Sequence, residues 1–425
     1  MNNQNNLSNT ISKSAILVII VSALGFFVDI YDMMIFSAVK EKSYTSLGFI
    51  KEALVNGTMI NYWSGYSVSI LNMQMFGMLI GGFIWGIIGD KFGRLNVLFG
   101  SILLYSIFTF LNAFVHNINE YKWCRFFAGI GLAGELGAGI TLVTEQVPKK
   151  YRGFAVAMVG SVGMFGAVFA GYISRTNLSW QATYKIGALM GVVLLALRLG
   201  VLESGLFKNM GASNISKGNF LIILKNKKLL WKFICILLVG LPGWYATGIL
   251  ITHTAVIAQS LGIDKANLPN TAKVMSINFM GFACGDILCG LLSQKLKSRK
   301  KAIAVFLGLY ALFVTLYFLI GANSLTIYYT LFAGMGVSVG FSIMLFTLAA
   351  EQYGTNIRTL VSSTSLNLVR AWVIPLGLCF TSLTAYFKGN NANSAMVLGI
   401  ISISLAFFAL TQLEETFSKD LDYYD

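Results

Sequence analysis

The chain alternates between long apolar stretches and short polar connections. Twelve stretches reach the length of about 20 residues that a helix needs to cross a bilayer core. Because backbone groups in lipid have no water to bond, we expect each stretch to be helical. The predicted spans, numbered 1 to 12 throughout, are 14–39, 66–88, 96–114, 123–144, 154–174, 182–202, 230–259, 272–292, 301–320, 327–349, 361–387 and 394–412.

The composition excludes a soluble or secreted protein. Charged residues make up 11% of the chain and hydrophobic residues 56%, whereas a soluble domain carries about 25% charge. The apolar stretch that follows the polar segment 1–13 is too long for a signal peptide, so we expect it to be retained as span 1. The five cysteines fall in apolar stretches, which favours packing positions over a disulfide framework.

Basic residues are concentrated in alternate connections. The net charge is +14, but this distribution follows the positive-inside bias of membrane proteins and does not indicate nucleic-acid binding. It predicts that both termini lie in the cytoplasm. The Asn-, Lys- and Ile-rich connections suggest a bacterial, AT-rich genome, so the expected location is a bacterial inner membrane. The predicted cytoplasmic connections hold Lys91, Arg94, Lys149, Lys150, Arg152, Lys208, Lys217, Lys225, Lys295, Arg299 and Arg358, among others.

The second part of the chain repeats the first. The heptad RFFAGIG at 125–131 returns as TLFAGMG at 330–336, which places Thr330 opposite Arg125. The segments 86–91 and 290–295 match at an offset of 204, and the pair Glu145 and Arg152 returns as Glu351 and Arg358 at an offset of 206. Three matches in one order indicate a duplication of a six-span unit.

The duplication predicts two pseudo-symmetric six-helix bundles related by an axis along the membrane normal. We expect residues 1–202 to form the first bundle, 203–229 a cytoplasmic linker and 230–425 the second bundle with a short tail. Transporters built in this way bind substrate near the midplane, between the halves.

Several motifs resemble those of the major facilitator superfamily. GIIGDKFGR at 86–94 is similar to its loop between spans 2 and 3, and RFFAGIG at 125–131 to its span 4 motif. The run from Glu145 to Gly153, and Glu203-Ser204, resemble the sugar-porter, organic-ion and metabolite:proton symporter branches. The resemblance implies transport by alternating access. Gln294 departs from the pattern, since an acidic residue is common there.

The resemblance also implies a network of charges at the cytoplasmic span ends. Such a network would stabilise the outward-open state, break when the protein opens inward, and make no contact with substrate. The residues expected in this cytoplasmic gate are Gly86, Asp90, Gly93, Arg94, Glu145, Arg152, Glu351 and Arg358.

Charged residues inside predicted spans are candidates for function, because each costs at least ~2.5–3.5 kcal/mol at the bilayer centre. Asp29 and Asp32 are three residues apart, hence on one face of span 1, and two close carboxylates in lipid cannot both stay ionised cheaply. Arg125 of span 4 can pair with either, so that a proton on the carboxylate would free it. The sugar-porter resemblance favours Asp32 as the proton carrier. The alternatives are capping or pairing at the wet end of span 1, and an arginine that extends to the interface.

Glu135 lies ten residues beyond Arg125, roughly 15 Å deeper along the helix axis. Several glycines surround it in the sequence, which allows close helix packing. Its position predicts a second proton site or a substrate contact. The competing interpretation is a structural partner of an arginine or lysine.

Arg370 in span 11 is the candidate for substrate recognition. Its context resembles an arginine of the organic-ion and metabolite:proton branches, which implies an anionic substrate, and a guanidinium matches a carboxylate with two bonds. The alternative is pairing with Glu135 or an aspartate. Further candidate substrate contacts are Trp372 and, in span 7 beside the predicted interruption at 240–243, Trp244 and Tyr245. Aromatic residues in membranes are more often packing or interface positions, which is the alternative for Trp244 and Tyr245.

Taken together, these patterns predict a monomeric proton-coupled symporter that takes up a small organic anion such as a carboxylate. The proton is the expected coupling ion, and we expect no cofactor and no enzymatic activity. The alternatives are an exporter or antiporter of a metabolite or drug, and uptake of a citrate-type siderophore or of a neutral or zwitterionic solute. Antiporter branches typically carry a glycine-proline motif in span 5, and residues 160–166 contain no proline.

Overall fold

The computed structural model describes residues 13–48, 52–55, 58–61, 63–148, 150–200, 220–264 and 267–419. Glu203-Ser204, Lys149, Lys208, Lys217, most of the predicted linker and the ends of both tails lie outside the described residues. The elements are α1 (Lys13–Ser46), β1 (Glu52–Val55), β2 (Thr58–Asn61), α2 (Trp63–Phe92), α3 (Arg94–Asn112), α4 (Ile118–Leu132), α5 (Glu135–Gln146), α6 (Arg152–Arg175), α7 (Trp180–Leu197), α8 (Leu221–Lys225), α9 (Lys227–Tyr245), a π-helix (Ala246–Ile251), α10 (Thr254–Ser260), α11 (Thr271–Leu296), α12 (Arg299–Ile320), α13 (Leu325–Val339), α14 (Phe341–Gln352), α15 (Arg358–Ala371), α16 (Val373–Tyr386) and α17 (Asn391–Gln412), with short 3-10 turns at Arg198–Gly200 and Gly321–Asn323.

The predicted all-helical membrane fold is confirmed. Within the described residues, twelve helices are long and apolar enough to cross a membrane, one for each predicted span. They run over Ser14–Phe36, Ser69–Phe92, Arg94–Asn112, Ile118–Gln146, Arg152–Ser174, Trp180–Leu197, Lys227–Ile251, Lys273–Leu296, Arg299–Asn323, Leu325–Gln352, Arg358–Tyr386 and Asn391–Gln412.

Two local features differ from the sequence expectation. The connection after span 1 contains an antiparallel hairpin, in which Glu52 pairs with Asn61. Span 7 is not interrupted at 240–243, because the α-helix continues through Pro242 to Tyr245. The irregular part follows as the π-helical turn Ala246–Ile251. A proline is tolerated within a membrane span because neighbouring helices and local adjustments of the helix satisfy the backbone groups that it frees.

Spans 4 and 10 are each built from two shorter helices. Span 4 pauses at Ala133 and Gly134, and span 10 at Gly340, which is 206 residues after Gly134. A Cβ on Gly134 would lie 2.7 Å from Cγ of Trp85, so the pause allows a close approach of neighbouring side chains. The duplication therefore extends to a helix irregularity that the sequence pattern does not reveal.

A tyrosine anchors the same helix pair in each half. The hydroxyl of Tyr31 in span 1 donates to the carbonyl of Thr183 in span 6 at 2.9 Å. The hydroxyl of Tyr245 in span 7 donates to the carbonyl of Ala395 in span 12 at 2.6 Å. Both rings are fully buried. These contacts make Tyr245 the structural equivalent of Tyr31.

Glycine contacts fix the equivalence of spans 4 and 10. Gly77 packs on the carbonyl of Phe126, and Gly281, 204 residues later, packs on the carbonyl of Ala333. Two further glycine pairs keep the same relation. Residues before the pause in span 4 therefore correspond to residues 207 positions later. The offset becomes 206 after the pause, because the pause is one residue longer in span 4.

This packing corrects the pairing of Arg125 with Thr330 that the repeated heptad suggested. An offset of 207 makes Phe332 the equivalent of Arg125. Phe332 is fully buried as Arg125 is, whereas Thr330 is exposed. The two heptads resemble each other in sequence, but aligning them places the residues two positions away from their structural equivalents.

The two halves meet along two seams, which we define as span 2 against span 11 and span 5 against span 8. In the first seam a Cβ on Gly86 would lie 2.7 Å from Cα of Leu360. In the second a Cβ on Gly290 would lie 2.5 Å from Cβ of Ala157. We call the end of the bundle that holds Arg94, Arg152, Arg299 and Arg358 the basic end. Both seams are closed there.

Candidate functional site

Six charged side chains form three buried pairs in the interior of the spans. Five of them belong to the predicted site and two of the pairs lie within the first half. The pairs are Asp32 with Arg125, Asp29 with Arg370, and Glu135 with Arg198.

Asp32 is held firmly within the first half. Nη1 of Arg125 lies 3.2 Å from Oδ2 of Asp32, and Nη2 of Arg125 donates to the Asp32 backbone carbonyl at 2.9 Å. The hydroxyl of Thr109 in span 3 donates to Oδ1 of Asp32 at 2.8 Å. The guanidinium also lies 5.9 Å from the ring centre of Tyr184. Several bonds thus hold the pair, and breaking it would leave a buried charge.

Asp29 points to the other half of the molecule. Its Oδ2 lies 3.6 Å from Nη2 of Arg370 in span 11, and both side chains are at least 96% buried. Within the described residues, neither oxygen of Asp29 accepts a hydrogen bond and Nη1 of Arg370 donates none. Asp29 and Asp32 therefore do not share one arginine. The looser pair joins the halves, and the tighter pair lies inside one of them.

Glu135 belongs to a third, wholly internal pair. Both of its oxygens accept from the guanidinium of Arg198 at the end of span 6, with Oε2 at 3.1 Å from Nη1. Arg198 also donates to the carbonyl of Leu98 at 2.8 Å. A Cβ on Gly25 in span 1 would meet this pair. The contacts agree with the structural alternative for Glu135.

Glu145 joins the two halves at the basic end. Its Oε1 lies 3.0 Å from Nη2 of Arg94 in its own half and 2.8 Å from Nη1 of Arg358 in the other half. All three side chains are fully buried. Nη2 of Arg94 also donates across the seam to the carbonyl of Thr355 at 3.0 Å.

Asp90 closes the same seam through a helix end. Its two oxygens accept from the backbone N–H groups of Thr359 and Leu360, at 3.0 and 2.9 Å, in the first turn of span 11. A carboxylate is favoured there because a helix N-terminus carries partial positive charge. The chain turns just beyond, at Gly93, with a φ of 106° that a residue with a side chain rarely adopts.

The segment after span 12 completes the network at the basic end. Glu351 lies 3.3 Å from Arg299 and accepts from the hydroxyl of Thr416 at 2.6 Å. Nη1 of Arg152, from the first half, donates to the carbonyl of Lys419 at 3.1 Å. The tail therefore contacts both halves.

Glu415 in this tail caps the start of span 9. Burial disfavours its charge, but hydrogen bonds from the Ser298 hydroxyl and the backbone of Arg299 outweigh burial and lower the pKa of Glu415. The carboxylate is thus ionised at neutral pH, where it fixes the tail against the membrane domain.

Comparison with known proteins identifies the fold. A family profile described as Major Facilitator Superfamily matches residues 16–378. The chain belongs to that superfamily. It is an integral membrane transporter for a small molecule and not an enzyme, as its relatives are transporters.

Known relatives of this facilitator cover most of its length. The 3-(3-hydroxy-phenyl)propionate transporter of Escherichia coli (strain K12) is 24% identical, over 80% of this chain and 83% of that protein. The sialic acid transporter NanX of the same organism is 24% identical, over 78% and 79% of the two chains. The solved structure of the proton:xylose symporter XylE bound to 6-bromo-6-deoxy-D-glucose gives a TM-score of 0.73 at 17% identity, over 97% and 98% of the chains. That likeness shows the shared fold.

The three aromatic candidates occupy different places in the facilitator. Trp244 is partly buried against the core that includes residues of both halves. Trp372 sits at the pause of span 11 and donates its indole N–H to the carbonyl of Leu237 at 3.0 Å. Tyr245 faces span 12, where its hydroxyl and ring are packed against Ala395 and Gly399. These contacts favour the packing alternative for Tyr245.

Two buried charged residues were not singled out from the sequence. Arg198 and Asp286 lie inside the predicted spans 182–202 and 272–292, so the rule that selected Asp29 applies to both. Both are fully buried. Among the described residues, no group of three or more His, Cys, Asp and Glu side chains is arranged to hold a metal ion.

Proposed function

We propose that this facilitator is a proton-coupled symporter that takes up a small organic anion. The observation that carries the proposal is the Asp29–Arg370 pair, which joins the halves at 3.6 Å without a hydrogen bond. A pair of this kind can exchange its anionic member, because an incoming carboxylate offers Arg370 two bonds where Asp29 offers none.

Arg370 is the proposed anion-binding residue. Its guanidinium is nearly fully buried, and one of its terminal nitrogens donates no hydrogen bond within the described residues. A buried arginine needs a negative partner, so Arg370 must hold either Asp29 or a substrate. Trp244 and Trp372, on the neighbouring spans 7 and 11, are proposed to contact the remainder of the substrate.

Asp29 is the proposed proton carrier. A proton on Asp29 would remove its attraction for Arg370 and free the guanidinium for a substrate anion, which ties proton binding to substrate binding. Asp32 is the weaker candidate, because Arg125, Thr109 and a backbone contact already satisfy it. We assign Asp32 and Arg125 to the positioning of span 1, and Glu135 with Arg198 to the structure of the first half.

The network at the basic end is the proposed gate. We place this end in the cytoplasm of a bacterial inner membrane on the basis of the charge distribution. Glu145, Asp90 and the tail hold the seams closed, so the site would exchange substrate with the opposite side. Release of the proton and substrate to the cytoplasm requires these contacts to break while the halves rock.

The relatives agree with an organic anion. Two of the relatives reported above are named for 3-(3-hydroxy-phenyl)propionate and for sialic acid, and both compounds carry a carboxylate. A carboxylate common to the two matches a site with one buried arginine. The proposal therefore specifies the charge of the substrate and leaves its carbon skeleton open.

Proton movement in liposomes tests the proposal. The full chain is reconstituted with a pH-sensitive dye in the lumen, and carboxylates, amino acids and sugars are added without an imposed gradient. We expect carboxylates alone to acidify the lumen. Arg370→Lys keeps the positive charge but loses the planar guanidinium that donates two hydrogen bonds to one carboxylate. The apparent affinity for the carboxylate substrate should therefore fall roughly tenfold.

A variant of Asp29 separates coupling from binding. Asp29→Asn should abolish acidification yet keep exchange of labelled carboxylate across the membrane, because Arg370 stays free to bind. Alkalinisation of the lumen by substrate would establish antiport and reject uptake. Entry of labelled carboxylate without proton movement in the unmodified protein would reject coupling altogether.

A further inference from the structure

Asp286 of span 8 is a buried carboxyl in the seam between the halves. Its side chain is fully buried, and within the described residues neither oxygen accepts a hydrogen bond or forms an ion pair. It faces Gly160 of span 5, where a Cβ would lie 2.8 Å from Oδ2 of Asp286. The carboxyl thus lies between the halves and away from the three buried pairs.

The neighbouring elements offer this carboxyl no counter-charge within the described residues. On span 8 itself the thiol of Cys289 lies one turn further on and carries no counter-charge. Span 5 presents Gly160, and its basic residue Arg152 lies about two turns away at the helix start. Span 10 presents Ile343, while Glu351 of that span pairs with Arg299 of span 9 at the basic end.

Packing of the seam does not require an acid. The residue 204 positions earlier in the equivalent span is Gly82, which occupies the corresponding place in the other seam. There a Cβ would lie 3.0 Å from Nδ2 of Asn367 in span 11. A glycine is therefore sufficient to bring the helices together, and the carboxyl at position 286 serves another purpose.

We infer that Asp286 is a second proton-binding site, which holds a proton while the seam of spans 5 and 8 is closed and releases it when the halves part. An ionised carboxylate without a partner costs several kcal/mol in a dry interior, whereas the neutral acid costs far less. Parting of the halves admits water and removes that cost. The inference does not depend on Arg370 binding an anion.

The sign of the pH effect follows from this linkage. Closure of the seam strengthens proton binding by Asp286. A fall in pH therefore shifts the equilibrium toward the closed basic end. A rise in pH shifts the equilibrium toward the open basic end.

Infrared spectroscopy tests the protonation state directly. A protonated carboxyl has a carbonyl stretching band that an ionised carboxylate lacks. The difference spectrum between the purified full chain and Asp286→Asn at neutral pH isolates the band of Asp286 from those of Asp29 and Asp32. We expect the band to be present in the unmodified protein and lost in the variant. A difference spectrum that shows an ionised carboxylate instead would overturn the inference.

Gly160→Ala gives a second reading with the carboxyl intact. Its Cβ would press on Asp286 and on Ile343, 2.7 Å from Cγ1, and force the seam apart. We expect the pH at which the band disappears to fall by about one unit, a tenfold weaker hold on the proton. An unchanged midpoint would show that seam closure does not control the proton. Neither measurement needs substrate, so failure here is distinguishable from failure of the proposed symport.

Discussion

The two halves of this facilitator share a scaffold and differ in charge. Tyr31 and Tyr245 make the same contact to the equivalent span of each half. Spans 4 and 10 pause at equivalent points, Gly134 and Gly340. These shared devices are backbone contacts that any duplicated bundle needs. The difference between the halves lies in their buried charges.

The buried ion pairs of the first half have apolar equivalents in the second. The tyrosine anchors relate Asp32 to Ala246, and the glycine contacts relate Arg125 to Phe332. The offset after the pause relates Glu135 to Phe341, and the carbonyls that accept from the two tyrosines relate Arg198 to Leu410. All four equivalents are at least 96% buried. The fold evidently closes without these charges, which assigns them to function or to the specificity of packing.

Transplanting the apolar pair into the first half is the strongest test of this comparison. Arg125→Phe alone leaves Asp32 as an unpaired buried carboxylate, and should lower the free energy of unfolding by about 3–5 kcal/mol. Adding Asp32→Ala reproduces the pair found in the second half and should recover most of that loss. Thermal and denaturant unfolding in detergent micelles measure the stability of each variant.

The same double variant separates stability from transport. We expect the Asp32→Ala/Arg125→Phe protein to fold without proton-driven transport, because span 1 is no longer positioned for Asp29 to meet Arg370. Full activity of the double variant would mean that the pair contributes nothing specific to the first half.

The pair of Glu135 and Arg198, unlike that of Asp32 and Arg125, should be dispensable for transport. Arg198→Leu alone is expected to destabilise the protein by about 3 kcal/mol, and Glu135→Met with Arg198→Leu to restore stability. Because both oxygens of Glu135 are taken up by Arg198, transport by the double variant should persist in the liposome assay. Loss of proton coupling in a well-folded double variant would return Glu135 to the coupling residues.

The smallest expected effect concerns the basic end. Glu145→Gln weakens its bonds to Arg94 and Arg358, which should raise the population open at that end about tenfold, the equivalent of ~1.4 kcal/mol. Distances between spin labels on the ends of spans 5 and 8 report this population. Glu414→Gln, which alters a half-exposed carboxylate that contacts Lys232, is the control and should change this population less than about twofold. Equal effects of the two variants would contradict the proposed gate.

Much of the architecture could be predicted from the apolar pattern. Lipid imposes helices of fixed minimum length, so all twelve spans were recognisable. The cost of intramembrane charge likewise pointed to Asp29, Asp32, Arg125 and Arg370. Applied to every span, the same rule would have found Arg198 and Asp286, which no motif marked.

Which carboxylate meets which arginine was beyond the sequence. Asp29 and Asp32 share one face of span 1, and only the packing of the spans sends one to Arg370 and the other to Arg125. The pairing of Arg125 with Thr330 was wrong for a related reason. A difference of one residue in a helix pause changes the register of everything before it, while a glycine-rich heptad can match at several offsets.

The internal pairs have a consequence for how the chain enters the membrane. Glu135 and its partner Arg198 are 63 residues apart, so at about 5–20 residues per second the ribosome delivers the arginine roughly 3 to 13 s after the glutamate. Span 4 must therefore wait at the translocon, or insert with its acid neutralised, until span 6 arrives. Spans 10 and 12 have Phe341 and Leu410 in these places and need no such delay. The interval between spans 4 and 6 is thus expected to be a slow step in the insertion of the first half.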